Sequence, residues 1–166
     1  QRKLQKTEIS GAVGAGAGQV VVGTLAGEVI SLDATTGNEL WRSRIGSEVL
    51  AAPAVNDRVV VVQTQDDRLI ALDASTGAQH WVYESTPALS TGKVIAVELQ
   101  CGLPVWEGRV AVPSGRTELE RMVDVDGSLL LSDGVLYVAA FNGRVVGLDA
   151  QSGRTLWQHQ SSSTGA

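Results

Sequence analysis

The stretch Leu32-Asp33-Ala34-Thr35-Thr36-Gly37-Asn38-Glu39-Leu40-Trp41 limits what this chain can fold into, because it recurs. It returns as Leu72-Asp73-Ala74-Ser75-Thr76-Gly77 ending in Trp81, and as Leu148-Asp149-Ala150-Gln151-Ser152-Gly153 ending in Trp157. A looser copy, Val97-Glu98-Leu99-Gln100-Cys101-Gly102, ends in Trp106. In every copy the acid stands eight positions and the glycine four positions before the tryptophan, and these are all four tryptophans of the chain. Repetition with a period of roughly 40 residues specifies a propeller or solenoid array, in which a unit cannot bury its apolar face alone.

Each copy reads as a hairpin. The runs before it (Glu28 to Leu32, Arg68 to Leu72, Lys93 to Val97, Arg144 to Leu148) are β-branched and aliphatic without helical spacing, so they are strands. The Asp, the Ser or Thr and the Gly make the turn: the polar side chains bond local backbone, and glycine accepts a positive φ. A second strand then carries the tryptophan at a fixed distance past the turn. Its ring can bury a large apolar area while its N–H finds one partner. The expectation is that Asp33, Gly37, Trp41, Asp73, Gly77, Trp81, Glu98, Gly102, Trp106, Asp149, Gly153 and Trp157 dock neighbouring sheets rather than cage a ligand.

At 166 residues the chain can bury a core of moderate size. A net charge of −5 without a basic cluster argues against nucleic acid or an anionic membrane surface as the main partner. One cysteine cannot form an internal disulfide, and no run approaches the ~20 apolar residues of a spanning helix. No signal peptide is visible; if the protein is exported, its leader is not in this sequence. The small-residue run from Gly11 to Gly18 resembles a dinucleotide loop only superficially. That loop needs a helix after it, and Gln19-Val20-Val21-Val22-Gly23 is a strand. An inner strand and turn, where small residues let backbones approach, fits better.

The repeat also measures the units. Strands are expected near 10–14, 19–25, 27–33 and 39–45, then over 48–55, 58–65, 68–74 and 79–85, with Pro53 at an edge or bulge. Four short strands per unit is the count of a propeller blade. Units fall near 11–45, 46–85, 91–110 and 127–160. The tryptophans are 40, 25 and 51 positions apart, so the third unit is short and the fourth long. The first two strands of the third unit are missing, which implies a gap near 88–92. The excess of the fourth unit is an inserted loop, 111–126, where Thr117 and Glu120 fit a capping box for a short helix near 117–122.

Four Asp-x-x-x-Gly-x-x-x-Trp turns, one with Glu, resemble the docking repeat of the quinoprotein-type eight-bladed β-propellers. Thr86 to Ser90, the loop Ser114 to Arg121, the run Val123-Asp124-Val125-Asp126 and Asn142-Gly143-Arg144 are similar to the BamB family, lipoproteins of the outer-membrane β-barrel assembly machinery. The resemblance covers nearly the whole chain. It implies an all-β fold with about four blades of four antiparallel strands, and a non-catalytic scaffold on the periplasmic face of the outer membrane of a Gram-negative bacterium. It implies the POTRA domains of BamA as partner, unfolded outer-membrane chains as a second one, no cofactor, and a lipid anchor on an N-terminal cysteine this sequence lacks. The contact residues it implies are Leu89, Arg121, Asp124 and Asp126. Cys101 cannot be the anchor: it occupies a turn position held elsewhere by Thr36, Thr76 and Ser152, and is expected to be a buried or neutral turn residue.

Asp124 and Asp126 are two apart in an extended run and share a face, which suits basic groups on a partner. A solvated loop face, or a carboxylate bonding local turn N–H groups, is the alternative. The run lacks the further oxygen ligands of a calcium loop, and His80 and His159 have no paired zinc ligands. Two other classes share the fold: a quinone-cofactor dehydrogenase and an extracytoplasmic sensor domain. The resemblance to the dehydrogenases lacks their adjacent cysteine pair and clustered acids, and no Ser–His–Asp or Cys–His arrangement is suggested.

Overall fold

The computed structural model describes residues 8–84, 93–110, 129–140 and 144–160. Within these the chain is all strand and turn, and every sheet runs antiparallel in sequence order. Two compact units form, one from Gln1–Ser85 with Gln100–Gly102, the other from Thr86–Leu99 with Leu103–Ala166.

The first unit holds two four-stranded sheets. One contains β1 (Ile9–Gly16), β2 (Gln19–Thr24), β3 (Glu28–Asp33) and β4 (Glu39–Arg44). The other contains β5 (Ala54–Val55), β6 (Val59–Gln63), β7 (Arg68–Asp73) and β8 (Gln79–Glu84). The middle strands carry the core: Val21, Val29, Val60, Val62, Ile70 and Leu72 are buried together with Trp41, Ile45, Val49 and Ala74. Consecutive β-branched residues suit strands covered on both faces.

The small residues of β1 have a steric cause. A Cβ on Gly14 would run into the carbonyl of Pro53, and one on Gly16 into the carbonyl of Val55. β1 therefore lies backbone to backbone against the start of the next sheet, as expected of an inner strand. That next strand is shorter than the sequence suggests. Val49 makes an isolated bridge to Thr64, and regular pairing resumes only at Ala54. Pro53 has no N–H to give the ladder, so the expected strand over 48–55 breaks into a bridge and a two-residue strand.

The second unit contains a two-stranded sheet, β9 (Lys93–Val97) with β10 (Pro104–Arg109), among the described residues. Its four-stranded sheet holds β11 (Leu130–Ser132), β12 (Val135–Ala140), β13 (Arg144–Asp149) and β14 (Thr155–Gln160). Val94, Val110, Val138, Val146 and Leu148 form its core, with Trp106 and Leu136 against them. The helix expected near 117–122 and the gap inferred near 88–92 lie outside the described residues.

Candidate functional site

The turns at Asp33, Asp73 and Asp149 are built the same way, and the Glu98 copy shares the first bond, its N–H donating to the Leu103 carbonyl at 2.7 Å. The backbone N–H of Asp33 donates to the carbonyl of Asn38 at 2.8 Å, and Gly37 N–H donates to the carbonyl of Asp33 at 2.8 Å. Asp73 with Ala78 and Gly77, and Asp149 with Arg154 and Gly153, repeat both bonds. Gly37, Gly77, Gly102 and Gly153 all take φ between 68° and 72°, the left-handed region that costs glycine nothing.

The acid braces the turn with its side chain. Oδ1 of Asp73 accepts from the Ser75 hydroxyl at 2.6 Å, the Thr76 hydroxyl at 2.8 Å and both backbone N–H groups. Oδ1 of Asp33 accepts from the Thr36 hydroxyl and from the backbone N–H groups of Thr35 and Thr36, and Oδ1 of Asp149 from the hydroxyl and N–H of Ser152. These donors favour the carboxylate, so all three acids sit below the ordinary range; the leading causes are the hydroxyls of Thr36, Ser75 and Ser152. In the third copy Cys101 replaces the hydroxyl residue. It lies in the turn as expected, but exposed rather than buried.

The rings and the turns meet across sheets. The Trp41 indole N–H donates to the Ala74 carbonyl at 2.8 Å, and that of Trp106 to the Ala150 carbonyl at 3.0 Å. The rings lie over the turn glycines: a Cβ on Gly77 would come within 2.5 Å of Trp41, one on Gly102 within 2.6 Å of Trp81, and one on Gly153 would collide with Trp106. Trp41 and Trp81 are each only 7% exposed. Each joint therefore uses a glycine for its missing side chain as well as for its φ.

Three parts of this joint are not visible as motifs. The first is a β-bulge immediately before every tryptophan. Leu32 pairs with Glu39 and Ser31 with Trp41, so Leu40 is the extra residue; His80, Val105 and Leu156 are its counterparts. One inserted residue reverses the alternation and turns the ring to the docking face. The second is a small polar network. The buried Ser31 hydroxyl donates to Gln19 Oε1 at 2.7 Å, and Gln19 Nε2 donates to the same Ala74 carbonyl at 2.9 Å. The third is the motif alanine, whose N–H ties back to the first turn of its own sheet: Ala34 to Gly18, Ala74 to Arg58, Ala150 to Gly134.

Leu89, Arg121, Asp124 and Asp126 lie outside the described residues. Of the described residues on either side of the last three, Val110 is buried and Leu129, Leu130 and Leu131 are exposed. His80 approaches Asp73 with Nε2 3.4 Å from Oδ2, on the surface of the turn. Among the described residues these contacts brace turns and join sheets.

A family model described as outer membrane protein assembly factor BamB matches residues 1–166. The chain is 44% identical to the BamB of Xanthomonas campestris pv. campestris over 180 aligned positions, taking in 96% of this chain and 44% of that protein. Among solved structures it is similar to BamB from Moraxella catarrhalis, with a TM-score of 0.81 and 30% identity, over 94% of this chain and 54% of that one. It also matches the quinohemoprotein alcohol dehydrogenase of Comamonas testosteroni, with a TM-score of 0.72 over 93% of this chain and 35% of that one, but at 18% identity. That last likeness shows the fold alone. The fold is the quinoprotein-like eight-bladed β-propeller type, represented here by about four blades. The chain spans about half the length, or less, of the relatives it matches.

Proposed function

Because this chain belongs to the family of the outer membrane protein assembly factor BamB, we propose that it is a non-catalytic scaffold of the assembly complex at the periplasmic face of the outer membrane of a Gram-negative bacterium. It binds the POTRA domains of BamA and aids insertion of β-barrel proteins. The observation that carries this reading is the family match over the whole chain, joined to the place where the repeat is interrupted. Regular turns spend their polar groups on themselves, and their rings on the next sheet. The segment after Val110 departs from the spacing of the repeat, and a loop displayed by a rigid scaffold is where partner contacts concentrate. Asp124 and Asp126 there offer two carboxylates to basic groups of the partner, with Arg121 and Leu89 as the further contacts.

A second contact has its own support. Among the described residues, β14 is the outer strand of its sheet. Its free edge can pair with an extended chain, the mode by which unfolded outer-membrane proteins would be held during assembly.

Titration with the isolated BamA POTRA domains tests the scaffold reading. Saturable binding, without alcohol oxidation when pyrroloquinoline quinone and a divalent cation are supplied, is the expected result. Turnover with the quinone and no POTRA binding would replace the scaffold by the enzyme.

A further inference from the structure

Three of the four turns carry two locks that the other one does without. In the turns at Asp33, Asp73 and Asp149 the carboxylate accepts from a Ser or Thr hydroxyl, and the turn glycine donates its N–H to the carbonyl of the acid at 2.8 Å. The turn from Glu98 to Gly102 keeps the outer bond, Glu98 N–H to the Leu103 carbonyl, and a glycine φ of 71°. Among the described residues it has neither lock: the Glu98 carboxylate accepts nothing from its turn, and the Gly102 N–H reaches no carbonyl. The sequence supplies the cause. Glutamate is one methylene longer than the aspartate that fits this kind of turn, and the Cys101 thiol is a weak donor where Thr36, Thr76 and Ser152 have hydroxyls. Yet this turn covers a buried ring. A Cβ on Gly102 would come within 2.6 Å of Trp81, which is 7% exposed, and Trp81 and Gln100–Gly102 belong to the same compact unit.

We propose that the Glu98–Gly102 turn is a releasable joint: it lifts from the Trp81 ring in an excursion of the folded protein that leaves the turns at Asp33, Asp73 and Asp149 closed. The free energy of a local opening follows the bonds that the segment must break. The braced turns must break hydrogen bonds to a carboxylate, which are stronger than neutral ones. The Glu98 turn breaks none of these. The strand behind the ring does not have to move, because Ile70, Ala71 and Leu72 of β7 are fully buried. Opening therefore bares the apolar face of Trp81 while its sheet stays intact. The inference is independent of BamA binding, which rests on Asp124 and Asp126.

Amide hydrogen exchange of the full chain, read residue by residue by NMR, tests it. The N–H groups of Asp33, Asp73, Glu98 and Asp149 make the same bond in their four turns, so their protection factors compare directly. The Glu98 amide is expected to be less protected than the other three by about tenfold or more, the worth of one bond to a charged group. Two variants exchange the locks. Glu98→Asp/Cys101→Ser leaves a turn that differs from the Asp149 turn only by Leu99 in place of Ala150, and should raise protection at position 98 about tenfold. Asp149→Glu/Ser152→Cys makes the opposite change and should lower protection at position 149 by a similar factor, with the Asp33 and Asp73 amides unmoved. Equal protection at the four positions in the unsubstituted chain overturns the proposal. So does protection at position 98 that stays low in the first variant, or protection at position 149 that stays high in the second.

Discussion

Trp41 and Ala74, thirty-three residues apart and in different sheets, are joined by an indole N–H donated to a backbone carbonyl at 2.8 Å. The bond fixes where the ring may stand, and the ring covers Gly77 of the turn that supplies the carbonyl. A single side chain thus ties the end of one repeat to the turn of the next.

Replacing Trp41 with alanine removes a buried ring from the first unit's core, and a loss of about 3–5 kcal/mol is expected. Trp41→Phe keeps most of the apolar area and forfeits the N–H. The Ala74 carbonyl still accepts from Gln19, so the loss should be nearer ~1–2 kcal/mol. Urea unfolding of the two variants against the parent checks the order.

Glycine at the turn has two separable reasons, and two positions separate them. Gly37→Ala meets only the cost of a left-handed backbone, about 1–2 kcal/mol. Gly77→Ala meets the same cost and a Cβ within 2.5 Å of Trp41, so it should lose a further ~1–3 kcal/mol by overpacking. Equal losses in thermal or urea unfolding would show that the ring does not lie on the turn.

The carboxylates predict an acid limb. Asp33, Asp73 and Asp149 are held below the ordinary value of 3.8 by the hydroxyls and backbone N–H groups that brace the turns. Asp66 is lowered to about 2, first by the Arg68 guanidinium and then by the Thr64 hydroxyl. A folded pKa below the unfolded one stabilises fully above the unfolded value, and the contribution is lost as pH falls through the folded value. The urea midpoint should therefore be level from neutrality to about pH 5 and fall as pH drops below the ordinary carboxylate range. Asp73→Asn should start from a lower plateau and fall less steeply, since one depressed carboxylate is gone.

Most of the fold could be read in advance because the repeat marks both the turn and the ring. Alternating aliphatic runs such as Arg68 to Leu72 gave strands that the structure contains. The bulges at Leu40, His80, Val105 and Leu156 were not readable. A bulge is a pairing relation between two strands, and three aliphatic residues and a histidine carry no side-chain signal that distinguishes them from ordinary strand residues. The Ala74 acceptor was hidden for a similar reason: it is a backbone carbonyl, which every residue has. Pro53 marks an edge or bulge in the sequence, but the length of strand it costs depends on where pairing stops at the Val49 bridge and resumes at Ala54. The partner contacts rest on Leu89, Arg121, Asp124 and Asp126, outside the described residues, so family likeness and spacing carry them.

The contrast between regular turns and the insertion gives a paired mutational test of the partner surface. Asp33→Asn alters a carboxylate that bonds only its own turn, so it should leave BamA binding unchanged while lowering stability. Its carboxylate is committed internally, unlike those expected to face a partner.

The most direct measurement is the affinity of the POTRA domains of BamA for the unsubstituted chain and for the Asp124→Ala/Asp126→Ala variant, by calorimetric titration on proteins with matching circular dichroism. Binding is expected to weaken at least ~30-fold, as for truncation of charged groups worth about 2 kcal/mol or more, with unfolding midpoints unchanged. Unchanged affinity in the folded double variant would contradict it.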